Sequence, residues 1–240
     1  MIISSTEAQN NFGQYLKLAQ FEDVIVTKNG KNAVVIKPYK KEEGLNSFIA
    51  ERAEAYSIEQ ERISYEEFLR LSEESDNRYE YIDGEVYLMA SPSYAHQRII
   101  MELSVLFYNW FKGKKCIPLT SPFDVTLFKS EENINVVQPD ILVVCDVENV
   151  NARGRYTGVP TLVIEILSQY TRSKDMIRKL DLYSKSGVKE YWVVNPLNKE
   201  IYVYYYENRE IEAYNVYKLG ERVKSMVFEG LEIELKQVFE

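Results

Sequence analysis

The chain has 240 residues, of which 45% are hydrophobic and 28% charged, and it carries a net charge of −8. That apolar content supports one large domain, alone or with a small appendage, and the negative balance excludes a protein that coats nucleic acid by bulk positive charge. No apolar run approaches a bilayer span and no signal-peptide pattern opens the sequence. Cys116 and Cys145 lie far apart in apolar stretches, which predicts neither a disulfide framework nor a zinc site, and a reducing cytoplasm fits best.

The charge is unevenly spread. Residues 1–41 hold six lysines against Glu7, Glu22 and Asp23, a balance of +3 that leaves −11 for the remainder. A basic head on an acidic body predicts two modules with different partners. In the head, Ser4-Ser5-Thr6-Glu7 opens a helix whose apolar face is Ala8, Phe12, Tyr15, Leu16 and Ala19. Val24–Thr27 and Ala33–Ile36 then flank Asn29-Gly30, the strongest short hairpin signal a sequence offers. A helix and a hairpin in some forty residues bury too little surface to stand alone, so this unit is predicted to dimerise or dock.

Residues 42–62 are charged and lightly apolar and read as a connecting helix. Ser64 starts another helix, which Asp76-Asn77 stops, and Arg78–Met89 reads as a hairpin about Asp83-Gly84. Ser91-Pro92-Ser93 caps a helix from about Tyr94 to Trp110, striped by Ile99, Leu103, Leu106 and Trp110. Cys116–Phe128 reads as one long or bent strand broken by Pro118 and Pro122. Val136–Val144 and Thr161–Leu167 read as short buried strands, followed by a helix over about Arg172–Ser186 with Gly187 as its cap. Val188–Asn195 is a strand, residues 200–206 and 210–218 form a tyrosine-rich hairpin, and a strand pair near Val227–Leu235 ends the chain. This order predicts an α/β (α+β) fold in which helices flank a mixed central sheet.

The chemistry gathers in the two short strands. Each carries one carboxylate among β-branched neighbours, Asp140 in the first and Glu165 in the second, and an ionised acid there is costly unless paired or bound to a cation. On adjacent strands the two would hold Mg²⁺ or Mn²⁺ between them, with the backbone carbonyl of Ile166 and waters completing the shell. Lys179 follows Glu165 by 14 residues and borders the apolar face of its helix, where an inward role competes with snorkelling to water. Two acids, a lysine and a divalent ion suit phosphodiester hydrolysis. Asp175 reads as a helix-start acid, and Arg153 and Arg155 as either phosphate contacts or solvated loop residues. The tyrosines at 202, 204, 205 and 206 read as strand-face core or dimer surface in preference to base-stacking groups.

Two resemblances extend this reading. Ser5-Thr6-Glu7-Ala8, Phe12–Leu16 and Val24–Ile36 resemble the N-terminal domain of Phd/YefM-type antitoxins, which implies a homodimer that binds operator DNA. In that family a disordered tail then covers a toxin. Here a large domain stands in its place, so a toxin partner is less strongly implied than DNA. Pro139-Asp140, Glu165 and the downstream helix resemble the PD-(D/E)XK nuclease superfamily. Leu167 stands where that superfamily usually has its lysine, and Lys179 matches the members that carry it on the next helix. More narrowly, Arg78–Glu85, Ser91–His96, Gln138-Pro139-Asp140, Glu165–Ser168, Asp175, Lys179-Leu180, Tyr183 and Gly187–Trp192 resemble the Uma-type restriction endonuclease-like proteins.

The second resemblance implies a restriction-endonuclease-like core with Glu80 and His96 also at the site, Glu80 as a further carboxylate and His96 as a phosphate contact or a partner of Glu80. The expected organisation is an antitoxin-like head over 1–41, a linker over 42–62 and a nuclease-like domain over 63–240. The expected function is DNA cleavage with Mg²⁺. The alternative is a non-catalytic DNA-binding regulator that uses the nuclease fold as a platform.

Overall fold

Lys28 lies directly opposite Lys31 in the computed structural model. The structure describes residues 2–10, 12, 15, 24–28, 31–36, 62–89, 91–167 and 178–240, and the chain separates into two compact units, Met1–Ile58 and Glu59–Glu240. The expected connecting helix lies almost wholly outside the described residues. In the first unit the hairpin strands are β2 (Val24–Lys28) and β3 (Lys31–Ile36), and the helix is α1 (Ser5–Asn10). A strand that sequence pattern does not reveal, β1 (Ile2–Ser4), joins β2 in parallel and gives the order β1-β2-β3. Three residues are too few to show a period. Ile3, Ala8, Val24 and Val26 make a small buried core, while Ile2, Phe12, Val34 and Val35 stay exposed.

The second unit begins with α2 (Tyr65–Glu74), started by a reciprocal capping box. Ser64 Oγ accepts from the Glu67 amide at 3.2 Å and the Ser64 amide donates to Glu67 Oε2 at 2.8 Å. Phe68 on its buried face stacks on Tyr81, with ring centroids 4.9 Å apart. Tyr81 belongs to β4 (Tyr79–Ile82), which turns into β5 (Glu85–Leu88) through Asp83 and Gly84 at φ 52° and 86°. Left-handed backbone at both turn positions is what Asp-Gly supplies at low cost. The long helix is α3 (Tyr94–Phe111), capped by Ser93 and buried through Ile99, Leu103, Phe107 and Phe111.

The next segments depart from expectation. Cys116–Phe128 is not one strand but two in different sheets, β6 (Ile117–Thr120) and β7 (Val125–Phe128). Val136–Val144 likewise divides into β8 (Ile134–Val137) and β9 (Ile141–Val144). Proline is the reason in both cases, because Pro122 and Pro139 offer no amide to continue a ladder. After β10 (Leu162–Ile166), the described part of the next helix is α4 (Leu180–Ser186), capped by Gly187. Then come β11 (Glu190–Asn195), β12 (Glu200–Glu207) and β13 (Glu210–Lys218). The closing strand pair is β14 (Arg222–Lys224) with β15 (Glu232–Glu234), so its first strand lies earlier than expected, and α5 (Leu235–Phe239) follows.

The central sheet runs β13-β12-β11-β10-β9-β6, with β10 and β11 parallel and every other neighbour antiparallel. Its Ile141, Ile164 and Trp192 face pack on α3 and α5. The opposite face, through Leu142, Val163 and Tyr191, packs on α4 and on a second sheet of order β5-β4-β8-β7. This is a mixed α+β fold, as expected.

Cys116 and Cys145 flank the facing pair Ile117 and Val144, and they form a disulfide with Cα atoms 4.1 Å apart. That corrects the expectation of no disulfide. Sequence separation concealed that β6 and β9 are antiparallel neighbours, and the cysteines consequently no longer argue for a reducing compartment. Among the described residues no helix is long and apolar enough to cross a membrane.

Candidate active site

Pro139 does more than end a strand. Between Val137 and Ile141 the chain passes from the four-stranded sheet to the six-stranded one, and Asp140 stands at the junction. The antiparallel register of β9 and β10 ends with Ile141 opposite Ile164, and Asp140 stands just beyond it, bonded to the Ile166 amide. Residues opposite each other in an antiparallel pair share a face. Glu165, next to Ile164, therefore points to the face covered by α4 and the second sheet, while Asp140 meets His96 at the start of α3.

Glu165 is 4% exposed and Lys179, at the start of α4, is 3% exposed. Lys179 Nζ lies 2.6 Å from Glu165 Oε1 and 2.9 Å from Glu80 Oε1, so it reaches inward between two carboxylates and does not snorkel to water. Glu80 reaches this point from β4 and accepts the Gln138 amide at 3.2 Å. A hydroxyl completes the group: Tyr183, one turn after Lys179, donates to Glu165 Oε1 at 2.6 Å. Burial pushes the Tyr183 phenol well above its ordinary pKa, and the charge of Glu165 pushes in the same direction. It remains a neutral donor at any ordinary pH.

Asp140 and His96 form the more open side. Their side chains are 13% and 12% exposed, against 3–5% for Glu80, Lys179 and Glu165. His96 Nε2 lies 3.2 Å from Asp140 Oδ2, and the same oxygen accepts the Ile166 amide at 2.7 Å. His96 is placed by the start of α3, where its amide donates to the Ser93 cap. The structure thus sets His96 on Asp140, where sequence reading had offered phosphate or Glu80.

Of the residues singled out from sequence, Lys179 brings Glu80 and Glu165 together, and Asp140 meets His96 and the amide of Ile166. Tyr183 and Gln138 were not anticipated as site groups. The signal for Tyr183 was its place four residues after Lys179, one turn along the same helix face. Arg155 is drawn to Asp124, with Nε 3.2 Å from Oδ2, while Asp124 Oδ1 accepts Gln138 Nε2 at 2.8 Å. Arg153 is exposed and makes a long contact to Glu73. Asp175 lies outside the described residues. Of the tyrosines, Tyr206 is buried and Tyr204 stacks between Tyr191 and Tyr214, so these two build the sheet.

Carboxylate oxygens are hard donors that suit Mg²⁺, which takes one or two protein carboxylates and fills its shell with water and phosphate oxygens. Among the described residues no group of three or more His, Cys, Asp or Glu comes together to hold a metal.

The fold is nuclease-like. Residues 65–236 match the model of the Uma2 family, described as "Putative restriction endonuclease", and the chain belongs to that family. Residues 1–75 match the model for the Phd_YefM antitoxin of type II toxin–antitoxin systems. An uncharacterised protein of Synechocystis sp. is 30% identical over 145 residues, which is 60% of this chain and 74% of that protein. A protein of Anabaena variabilis, described as a putative nuclease belonging to DUF820, superposes with a TM-score of 0.58 at 22% identity, over 74% of this chain and 97% of its own. At that identity the likeness concerns the fold.

Proposed function

We propose that the second unit is a Mg²⁺- or Mn²⁺-dependent DNA endonuclease and that the first unit dimerises it and delivers it to DNA. The observation that carries this reading is Lys179, buried between Glu80 and Glu165, beside Ile166, whose amide binds Asp140. Asp140 and Glu165, with the backbone at Ile166, are the groups that would hold the ion. A divalent ion bound there supplies polarisation of a phosphoryl oxygen and acidification of a water.

The other roles belong to side chains. Lys179 Nζ donates to the attacking water or to the phosphoryl oxygen that gains charge, from a water-poor setting where such a donor is most effective. Glu80 and Tyr183 hold Lys179 and Glu165 in place, and His96 orients Asp140 from the open side, where a phosphate would approach. Exposed Ile2, Phe12, Val34 and Val35 support self-association of the head, whose small core cannot stabilise it alone. The head's surplus of lysines supports DNA as its partner, offsetting the repulsion between phosphates and an acidic body.

The test is cleavage of supercoiled, linear and single-stranded DNA with Mg²⁺ or Mn²⁺, alongside calorimetric titration of the metal. Cleavage by wild type that Asp140→Ala and Lys179→Ala both abolish supports the reading, with metal binding lost in Asp140→Ala. No cleavage and no metal binding would favour a DNA-binding regulator built on a nuclease fold.

A further inference from the structure

Lys179 is flanked in the chain by two residues that are both tied to the hairpin carrying Glu80. On one side, Arg178 Nη1 lies 2.5 Å from Glu85 Oε2, and the guanidinium sits 5.2 Å from the Tyr87 ring centroid. Glu85 Oε2 also accepts the Tyr87 hydroxyl, so the carboxylate that receives Arg178 is itself fixed. On the other side, Asp181 Oδ2 lies 2.7 Å from Lys129 Nζ, and Lys129 in turn lies 2.8 Å from Asp83 Oδ2.

Asp83 does not drift in this arrangement. Its amide donates to Asn135 Oδ1 at 2.8 Å and its Oδ1 accepts Asn133 Nδ2 at 3.0 Å, while Asn135 is fully buried. Burial pushes the Asp83 carboxyl up, but the bonds from Lys129 and Asn133 outweigh it and hold the group below its ordinary range. Lys129 is the counterpart: burial lowers it, and its bonds to Asp181 and Asp83 raise it above the ordinary lysine value. Both groups therefore stay charged, and the cross-link persists, across the neutral range.

We infer that Lys129 and Arg178 are positioning residues that clamp the start of α4 to the β4–β5 hairpin and so set Lys179 against Glu80. The geometry carries this in three steps. Glu80 lies on β4 three residues before Asp83, so fixing the turn fixes its register. Lys179 lies between Arg178 and Asp181, so fixing both neighbours fixes its direction. The Lys179–Glu80 contact then joins elements 99 positions apart in sequence, with one cross-link beside it on each flank. A long flexible side chain needs that restraint, because an ammonium with three rotatable donors otherwise samples many directions. The inference rests on Lys179 as the working lysine, though its positioning is measurable without any turnover.

The experiment uses full-length protein with ¹⁵N-labelled lysine and reads the ammonium ¹H–¹⁵N correlations. The buried, doubly paired Lys179 is expected to give a slowly exchanging cross-peak, assigned by its loss in Lys179→Met. Lys129→Met and Arg178→Met are each expected to shift that peak and raise its exchange rate about tenfold. Lys129→Arg is expected to restore it, because a guanidinium still bridges Asp83 and Asp181. Lys224→Met, which removes a remote exposed pair with Glu232, controls for general loosening and leaves the peak unmoved. Where DNA is cleaved, Lys129→Met lowers kcat with little change in KM. An unmoved Lys179 peak in both Lys129→Met and Arg178→Met would overturn the clamp, as would equal disturbance by Lys224→Met. A disturbed peak in a protein that cleaves nothing would leave the clamp standing and remove only the nuclease reading.

Discussion

Tyr183 and Glu190 show how burial gives similar polar groups different duties. Tyr183 donates to Glu165 from the helix that also carries Lys179, and its raised pKa keeps it protonated. Tyr183→Phe removes that donor and little volume, so cleavage is expected to fall roughly tenfold with no change in the shape of the pH profile. Steady-state kinetics from pH 6 to 9 check this, and a new titration in the profile would contradict it. Glu190 is fully buried and accepts from Trp192, from Ser225 Oγ at 2.9 Å and from the Met226 and Val227 amides at 2.9 and 2.8 Å. It ties the C-terminal segment to β11. Burial raises its pKa, and those bonds only partly offset the rise. A carboxyl raised in the folded state holds its proton longer there than in the unfolded chain. Stability therefore falls as pH climbs from the unfolded value, about 4.3, to the folded one, and levels off above it. Urea unfolding of wild type from pH 4.5 upward is expected to show that decline, and Glu190→Gln to lack it.

At the scale of elements, local signals and tertiary contacts divide the work. The start of α2 is a local event, since Ser64 and Glu67 cap each other without help from elsewhere. Ser64→Ala is expected to cost about 1 kcal/mol of stability, read by urea unfolding, with cleavage unchanged. The second unit's first hairpin was equally legible, because Asp83-Gly84 states its turn type in two residues. The strands around Pro122 and Pro139 were not legible as separate elements. Each apolar run reads as continuous, and only the sheets show that the proline hands the chain from one to the other. That hand-over brings Asp140 beside β10 while β4 and β8, paired at Tyr81 and Val136, carry Glu80 to the same junction. Asp140 and Glu165 could be named from sequence as acids in apolar strands, whereas Glu80 came only with the family resemblance. Which of these acids meet depends on which strands become neighbours.

At the scale of the molecule, the disulfide is the clearest case of distance hidden in the sequence. Cys116 and Cys145 close a loop with a separation of 29 residues across β6 and β9. A cross-link of that span contributes about 3 kcal/mol by restricting the unfolded chain. Reduction, or Cys116→Ser, is expected to lower stability by that order, measured by urea unfolding with and without a dithiol. Thiol titration of the oxidised, unfolded protein should find none. Two free thiols in protein purified without reductant would contradict the bond.

Composition and short-range pattern determined much of this protein: a mixed α+β architecture, a small head before a larger body, the helix caps, the turns, and the acids and lysine to watch. These follow from interactions within a few residues, where period, capping and turn chemistry act. The tertiary structure alone decided that Lys179 turns inward to two carboxylates, that His96 serves Asp140, that Tyr183 holds Glu165, and that Cys116 meets Cys145. Each of these joins elements separated in the chain, and their partners are set by strand order and register, which the whole core selects at once.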